Sequence, residues 1–266
     1  MKPFTKYFLV LAPSGVAGIL LLLFAASREF SYSLGEAALS PTSYLAISGS
    51  IAGIALVVAT ALGIQAAKRA SLLIWRQNPP NPAHPSAAPD QPNQQDQKTI
   101  SIKNLVGTAL LASVLLTLYM TFATFINNQI TNSDTPLLSL KTNEFLLWSL
   151  PYQTITSELF LRLFTVSVLS AALLKIRVPK TIAFVAAVLA SAALSFAVSI
   201  PLDDAVRAPT TTHLLQLASV FLIPHIVFGI LFWKKSLVYA MATHGLVFLF
   251  YDILVVSWLG LRLFSA

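Results

Sequence analysis

The 266 residues include no cysteine, only three methionines and only ten acidic side chains. Without thiols there is no disulfide, no thiol nucleophile and no cysteine-ligated cluster. Charge is scarce altogether, 10% of residues against about a quarter in an ordinary soluble domain. So few charged groups cannot clothe a water-facing surface, which excludes a soluble globular domain. No internal repeat is evident, so nothing points to a transporter built from inverted repeats.

Apolar residues fill the chain instead: 56% are hydrophobic and the mean hydropathy is +0.75. Runs of about 20 apolar residues, the length that crosses a bilayer core, fall near Tyr7–Ala26, Ser43–Ala67, Asn104–Ile126, Thr154–Leu174, Thr181–Pro201, His213–Trp233 and Leu237–Leu261. The sequence therefore predicts an all-α, polytopic transmembrane helix bundle of about seven spans. The first run follows Lys2 and Lys6 and ends in Phe24-Ala25-Ala26-Ser27, like a secretory signal, but it is long enough to span and is read as a retained helix.

The formal charge of +7 does not mark a nucleic-acid surface, because the basic residues are dispersed between the spans. They serve as topology signals. With a cytoplasmic N-terminus, twelve fall inside (Lys2, Lys6, Lys68, Arg69, Arg76, Lys98, Lys103, Lys175, Arg177, Lys180, Lys234 and Lys235). Four fall outside, namely Arg28, Lys141, Arg207 and Arg262. That bias predicts a multi-pass protein with its N-terminus in the cytoplasm and its C-terminus outside.

Residues 77–99 change abruptly to Pro, Gln, Asn and Asp. Such a tract cannot bury a core and is expected to be an extended cytoplasmic linker, with His84 a solvated residue of it. It divides an N-terminal pair of spans, 1–76, from a five-span unit, 100–266. The outer loops are too short to form a catalytic domain, so any chemistry must lie within the bundle. Pro224 lies inside the sixth span, where a freed backbone carbonyl must find another partner.

Five ionisable residues lie inside spans: Glu158, Arg162, His225, His244 and Asp252. Each costs a few kcal/mol or more in hydrocarbon, so each is a candidate functional residue. Counted from the basic flanks at about 1.5 Å per residue, His225 and His244 lie roughly 13 Å above the inner boundary, Arg162 about 20 Å, and Glu158 and Asp252 roughly 25 Å. Glu158 and Arg162, four residues apart, can form an intrahelical pair, which Asp252 could join as a structural cluster. Alternatively Glu158 or Asp252 activates water while Arg162 keeps the carboxylate charged. His225 and His244, on consecutive helices at one level, could ligate a divalent metal or a haem; as the other possibility they hydrogen-bond across helices.

Three segments on successive spans carry a resemblance. They are Ser157-Glu158-Leu159-Phe160-Leu161-Arg162, then Phe196-Ala197-Val198-Ser199-Ile200, then the run from Lys234 to His244. Together, over roughly Leu150 to Val256, they resemble the CPBP family of CAAX proteases and bacteriocin-processing enzymes. That family has Glu-Glu-x-x-x-Arg, Phe-x-x-x-His and His-x-x-x-Asn/Asp motifs. The resemblance implies an intramembrane endopeptidase core in which Glu158 and Arg162 match the second glutamate and the arginine, Phe196 the aromatic, and His244 the last histidine. Ser157, Ile200 and Phe248 stand where the first glutamate (the presumed water-activating base), a histidine, and Asn or Asp are expected.

A serine hydroxyl cannot act as a base near neutral pH, and isoleucine cannot move a proton or stabilise an oxyanion. The sequence thus favours a member that has lost proteolysis and binds a membrane protein, a peptide or lipid. An active intramembrane protease with a rearranged site is the alternative, and a small proton-coupled transporter a further one.

Overall fold

The structure, a computed structural model, describes residues 3–30, 41–72, 102–131, 148–203, 211–252 and 255. The linker at 77–99 and the chain beyond Val255 lie outside the described residues. Among the described residues there is no strand. The helices are α1 (Pro3–Phe30), α2 (Pro41–Arg69), α3 (Ile102–Thr131), α4 (Trp148–Lys175), α5 (Lys180–Asp203), α6 (Thr211–Lys234) and α7 (Leu237–Asp252). In hydrocarbon every backbone group must be satisfied within the chain, and a helix does this locally.

Five helices, α1 to α5, contain stretches long and apolar enough to cross a membrane. The apolar stretches of α6 and α7, Ala218–Lys234 and Leu237–Asp252, are shorter. This is the architecture of a multi-pass helical membrane protein.

Two helices end in the same way. The amide of Leu72 donates to the Ala67 carbonyl (2.8 Å) and that of Ser71 to Lys68 (3.2 Å), with Ser71 at φ 54°. After α4, Val178 donates to Leu173 (3.1 Å) and Arg177 to Leu174 (3.0 Å), with Arg177 at φ 65°. Both are Schellman closures, with a left-handed residue in the position that usually holds glycine.

The central helix is α4, which packs against α1, α2, α5, α6 and α7. Leu159, Leu163 and Val166 are fully buried there, in one core with Leu56 of α2, Phe184 of α5 and Phe228 of α6. Contact with α2 is close because Gly63 has no side chain: a Cβ there would stand 2.7 Å from the Leu163 carbonyl oxygen. On α1, the Gly15 carbonyl accepts a hydrogen bond from Thr156 Oγ1 at 2.8 Å. The N-terminal pair of helices therefore leans directly on the helix that carries Glu158 and Arg162.

These contacts fix helix directions. Gly15 of α1 faces Leu159 and Gly18 faces Pro151, so α1 runs against α4; Gly15 also meets Leu56 at the level of Leu159 while Gly63 meets Leu163, so α2 runs in the same direction as α4. On the other side Phe184, Val188 and Ser195 of α5 meet Trp233, Gly229 and His225 of α6 in reverse order. The start of α1, the end of α2, and the α4–α5 and α6–α7 turns consequently gather at one end of the bundle, and with them the basic residues Lys6, Lys68, Arg69, Lys175, Arg177, Lys180, Lys234 and Lys235.

Candidate functional site

Glu158 sits between two π-helical stretches of α4, Tyr152–Thr156 and Leu159–Val166. Such widened turns are frequent at functional sites, because they re-aim side chains that a regular helix would stack. Glu158 is fully buried and Arg162 almost so, a burial that only mutual satisfaction makes tolerable.

The two form the intrahelical pair that their spacing predicts, with Arg162 Nη1 3.2 Å from Glu158 Oε1. The same carboxylate oxygen lies 2.7 Å from His244 Nδ1 on α7. The guanidinium also reaches α6: Nη2 is 2.7 Å from His225 Nδ1 and 3.2 Å from the His225 carbonyl oxygen. Beyond it, His225 Nε2 is 2.8 Å from Ser195 Oγ on α5. One polar chain, His244–Glu158–Arg162–His225–Ser195, thus ties four helices together.

The donor inventory fixes the state of His225. A guanidinium only donates, so His225 Nδ1 must present its lone pair, and the ring proton resides on Nε2, donated to Ser195 Oγ. His225 is therefore neutral. His244 donates from Nδ1 to the carboxylate, which leaves Nε2 outside that bond.

Phe228, one turn beyond His225 on α6, closes the cluster. Its ring stacks on His244 (centroids 4.5 Å apart, 20° between planes) and lies 5.4 Å from the Arg162 guanidinium carbon. A ring face toward a desolvated cation is favourable. The approach of α7 depends on Gly245, since a Cβ there would come within 2.9 Å of Thr154 Cγ2.

The depth estimates need correction. His225 and His244 are neighbours, with ring centroids 6.0 Å apart, but they are level with Arg162 and Glu158 and not about 10 Å nearer the basic end. His244 lies nine residues from Lys235, yet meets Glu158, which lies seventeen from Lys175. The basic turns therefore do not share one plane: the α6–α7 turn starts deeper, by four residues along the Arg162–His225 contact and eight along the Glu158–His244 contact, about one to two helical turns. Ser236 and Leu237 just after it are buried, while Lys234 and Lys235 are exposed.

His225 and His244 do not form a metal or haem pair in this geometry, because both nitrogens of His225 are engaged. Among the described residues no group of three or more His, Asp or Glu could hold a metal ion. Asp252 is half-buried on α7, eight residues beyond His244. The Ser157 hydroxyl donates to the Gln153 carbonyl of its own helix. Phe248 is buried in α7, and the side chain of Ile200 lies outside the described residues.

Sequence reasoning missed Ser195 and Phe228. A signal existed for the first: Ser191 and Ser195 are spaced i,i+4 in an otherwise apolar stretch, and Ser191 Oγ also turns to α4, donating to the Leu161 carbonyl at 2.7 Å. Phe228 carried none, being one phenylalanine among seventeen.

Beside the cluster, but walled off from it by the Thr154–Gly245 contact, an open groove of about 600 Å³ runs between α3, α4 and α7. Its lining, which includes Leu105, Leu110, Ile155, Met241 and Leu249, is almost wholly apolar. Compared with family models, curated proteins and solved structures, the chain matches none.

Proposed function

We propose that this is a membrane protein of about seven spans, N-terminus cytoplasmic, with a CPBP-like core that binds a membrane-embedded protein or peptide and does not cleave it. The observation that carries this reading is the state of Glu158: fully buried, with one carboxylate oxygen shared between Arg162 and His244. A carboxylate used in this way neutralises a buried guanidinium and ties α4 to α7, whereas a water-activating base must reach water. Ser157, at the position of the family's first glutamate, spends its hydroxyl on its own helix. Phe248, in place of Asn or Asp, offers no polar group at all. The apolar groove along α3, α4 and α7 is the surface on which a membrane helix would lie.

The test combines two readouts on protein purified from native membranes. A binding protein retains the same near-stoichiometric partner in the wild type, Glu158→Gln and His244→Ala, and leaves membrane peptides intact. Cleavage of a membrane peptide that Glu158→Gln abolishes would sink the proposal.

One observation favours an active protease as the second reading. A histidine held at Nδ1 by a carboxylate, with Nε2 uncommitted to that bond, is the arrangement of an oriented general base. The proton-carrier reading is weakened, because Arg162 sits in the middle of the polar chain and a guanidinium does not release its proton.

A further inference from the structure

We propose that the step between the α4–α5 and α6–α7 turns is a binding site for the headgroup of an anionic phospholipid. The Lys234–Lys235 pair is exposed, yet begins about one helical turn deeper than the start of α5, since Trp233 meets Phe184, one turn past Lys180. In a bilayer whose phosphates lie level with the α4–α5 turn, two adjacent cations at that depth would meet them from below. A phospholipid headgroup is the anion available there.

The surroundings fit that occupant. Trp233 stacks on Phe184 (centroids 5.2 Å apart), which joins the deep turn to the first turn of α5. Lys180 is one turn from Phe184, and Lys175 and Arg177 complete the α4–α5 turn, all three exposed. Lys234 Nζ stands 3.8 Å from the Trp233 ring centroid, and a tryptophan at this level anchors to the interface. The chain has no carboxylate between Glu158 and Asp203 or between Asp204 and Asp252, so these five cations meet no acidic side chain of their own segments. Ile176, 71% exposed between Lys175 and Arg177, presents an apolar side chain to the acyl region beside them. Cations on both turns, an indole beside them and an exposed isoleucine together suit a phosphate with acyl chains attached.

The full chain, reconstituted in phosphatidylcholine nanodiscs with a minor fraction of phosphatidylglycerol, is extracted into mild detergent, and retained lipid is read by native mass spectrometry. Each cation near an anionic headgroup is worth about fivefold. Phosphatidylglycerol is expected to be enriched over phosphatidylcholine by at least about tenfold, and the triple variant Lys180→Gln, Lys234→Gln, Lys235→Gln is expected to lose that enrichment. The variant Lys6→Gln, Lys68→Gln, Arg69→Gln removes the same charge elsewhere on the same end and is expected to keep it. Equal loss in both variants, or equal retention of the two lipids by the wild type, overturns the site. Displacement of the lipid by inorganic phosphate alone also overturns it, because the site would then read free phosphate.

Discussion

His244 Nδ1 stands 2.7 Å from Glu158 Oε1, so α7 is tied to α4 through the carboxylate that also neutralises Arg162. The imidazole thereby becomes the last element of a buried polar chain whose far end is Ser195 on α5. Such a chain is costly to break at any point, since each break strands a polar group where water does not reach.

Glu158→Gln leaves the Arg162 charge buried without a counter-charge and is expected to lower stability in detergent by about 3–5 kcal/mol. His244→Ala removes one charge-assisted hydrogen bond and is expected to cost about 1–3 kcal/mol. Unfolding of both single variants and the double variant gives the coupling, expected between about 0.5 and 3 kcal/mol. Strict additivity would mean that the two side chains do not interact.

The tautomer of His225 is directly measurable. Nitrogen-15 spectra of the protein in micelles should show a neutral ring protonated at Nε2, as required by the Arg162 donor at Nδ1. His225→Phe, which removes both ring partners, is expected to cost about 1–3 kcal/mol. His225→Asn can still accept from Arg162 through its amide oxygen and should cost less. An Nδ1-protonated ring is incompatible with the geometry described.

Gly63→Ala drives a methyl group into the Leu163 backbone and is expected to cost about 1–3 kcal/mol. Gly107 of α3 has open space where a Cβ would go, so Gly107→Ala should stay within about 0.5 kcal/mol or gain slightly from helix propensity. A thermal-stability comparison of the two decides whether α2 and α4 approach as closely as described.

Ser71 closes α2 at φ 54°. Ser71→Gly relieves the left-handed strain and is expected to raise stability by up to about 1 kcal/mol, with the greater backbone entropy of glycine opposing part of the gain. A lower melting temperature would show that the helix does not end in this conformation.

The helical class and the approximate spans were legible because hydrocarbon leaves the backbone few options, and composition alone reveals hydrocarbon. The Glu158–Arg162 pair was legible because four residues of helix bring any two side chains to one face. The partners across helices were not. Counting residues from basic flanks assumes that each flank marks one plane, and the deeper α6–α7 turn breaks that assumption, which is why His244 reaches Glu158. Ser195 looked like one more small residue of an apolar span until His225 was placed beside it.

The sequence by itself determined that the chain is an all-helical membrane protein, that its basic residues fall mostly on one side of the spans, and that Glu158 and Arg162 are spaced to pair. These follow from solvation and from the helical repeat, both local properties. Tertiary structure alone decided that His244 and His225 complete the pair, and that Ser195 fixes the proton of His225. It also decided that Lys234 and Lys235 lie on a deeper step than their neighbours. Each of those depends on how far one helix slides along another, which is set by close contacts such as Gly245 on Thr154 and Gly229 on Val188 and by no repeat in the chain.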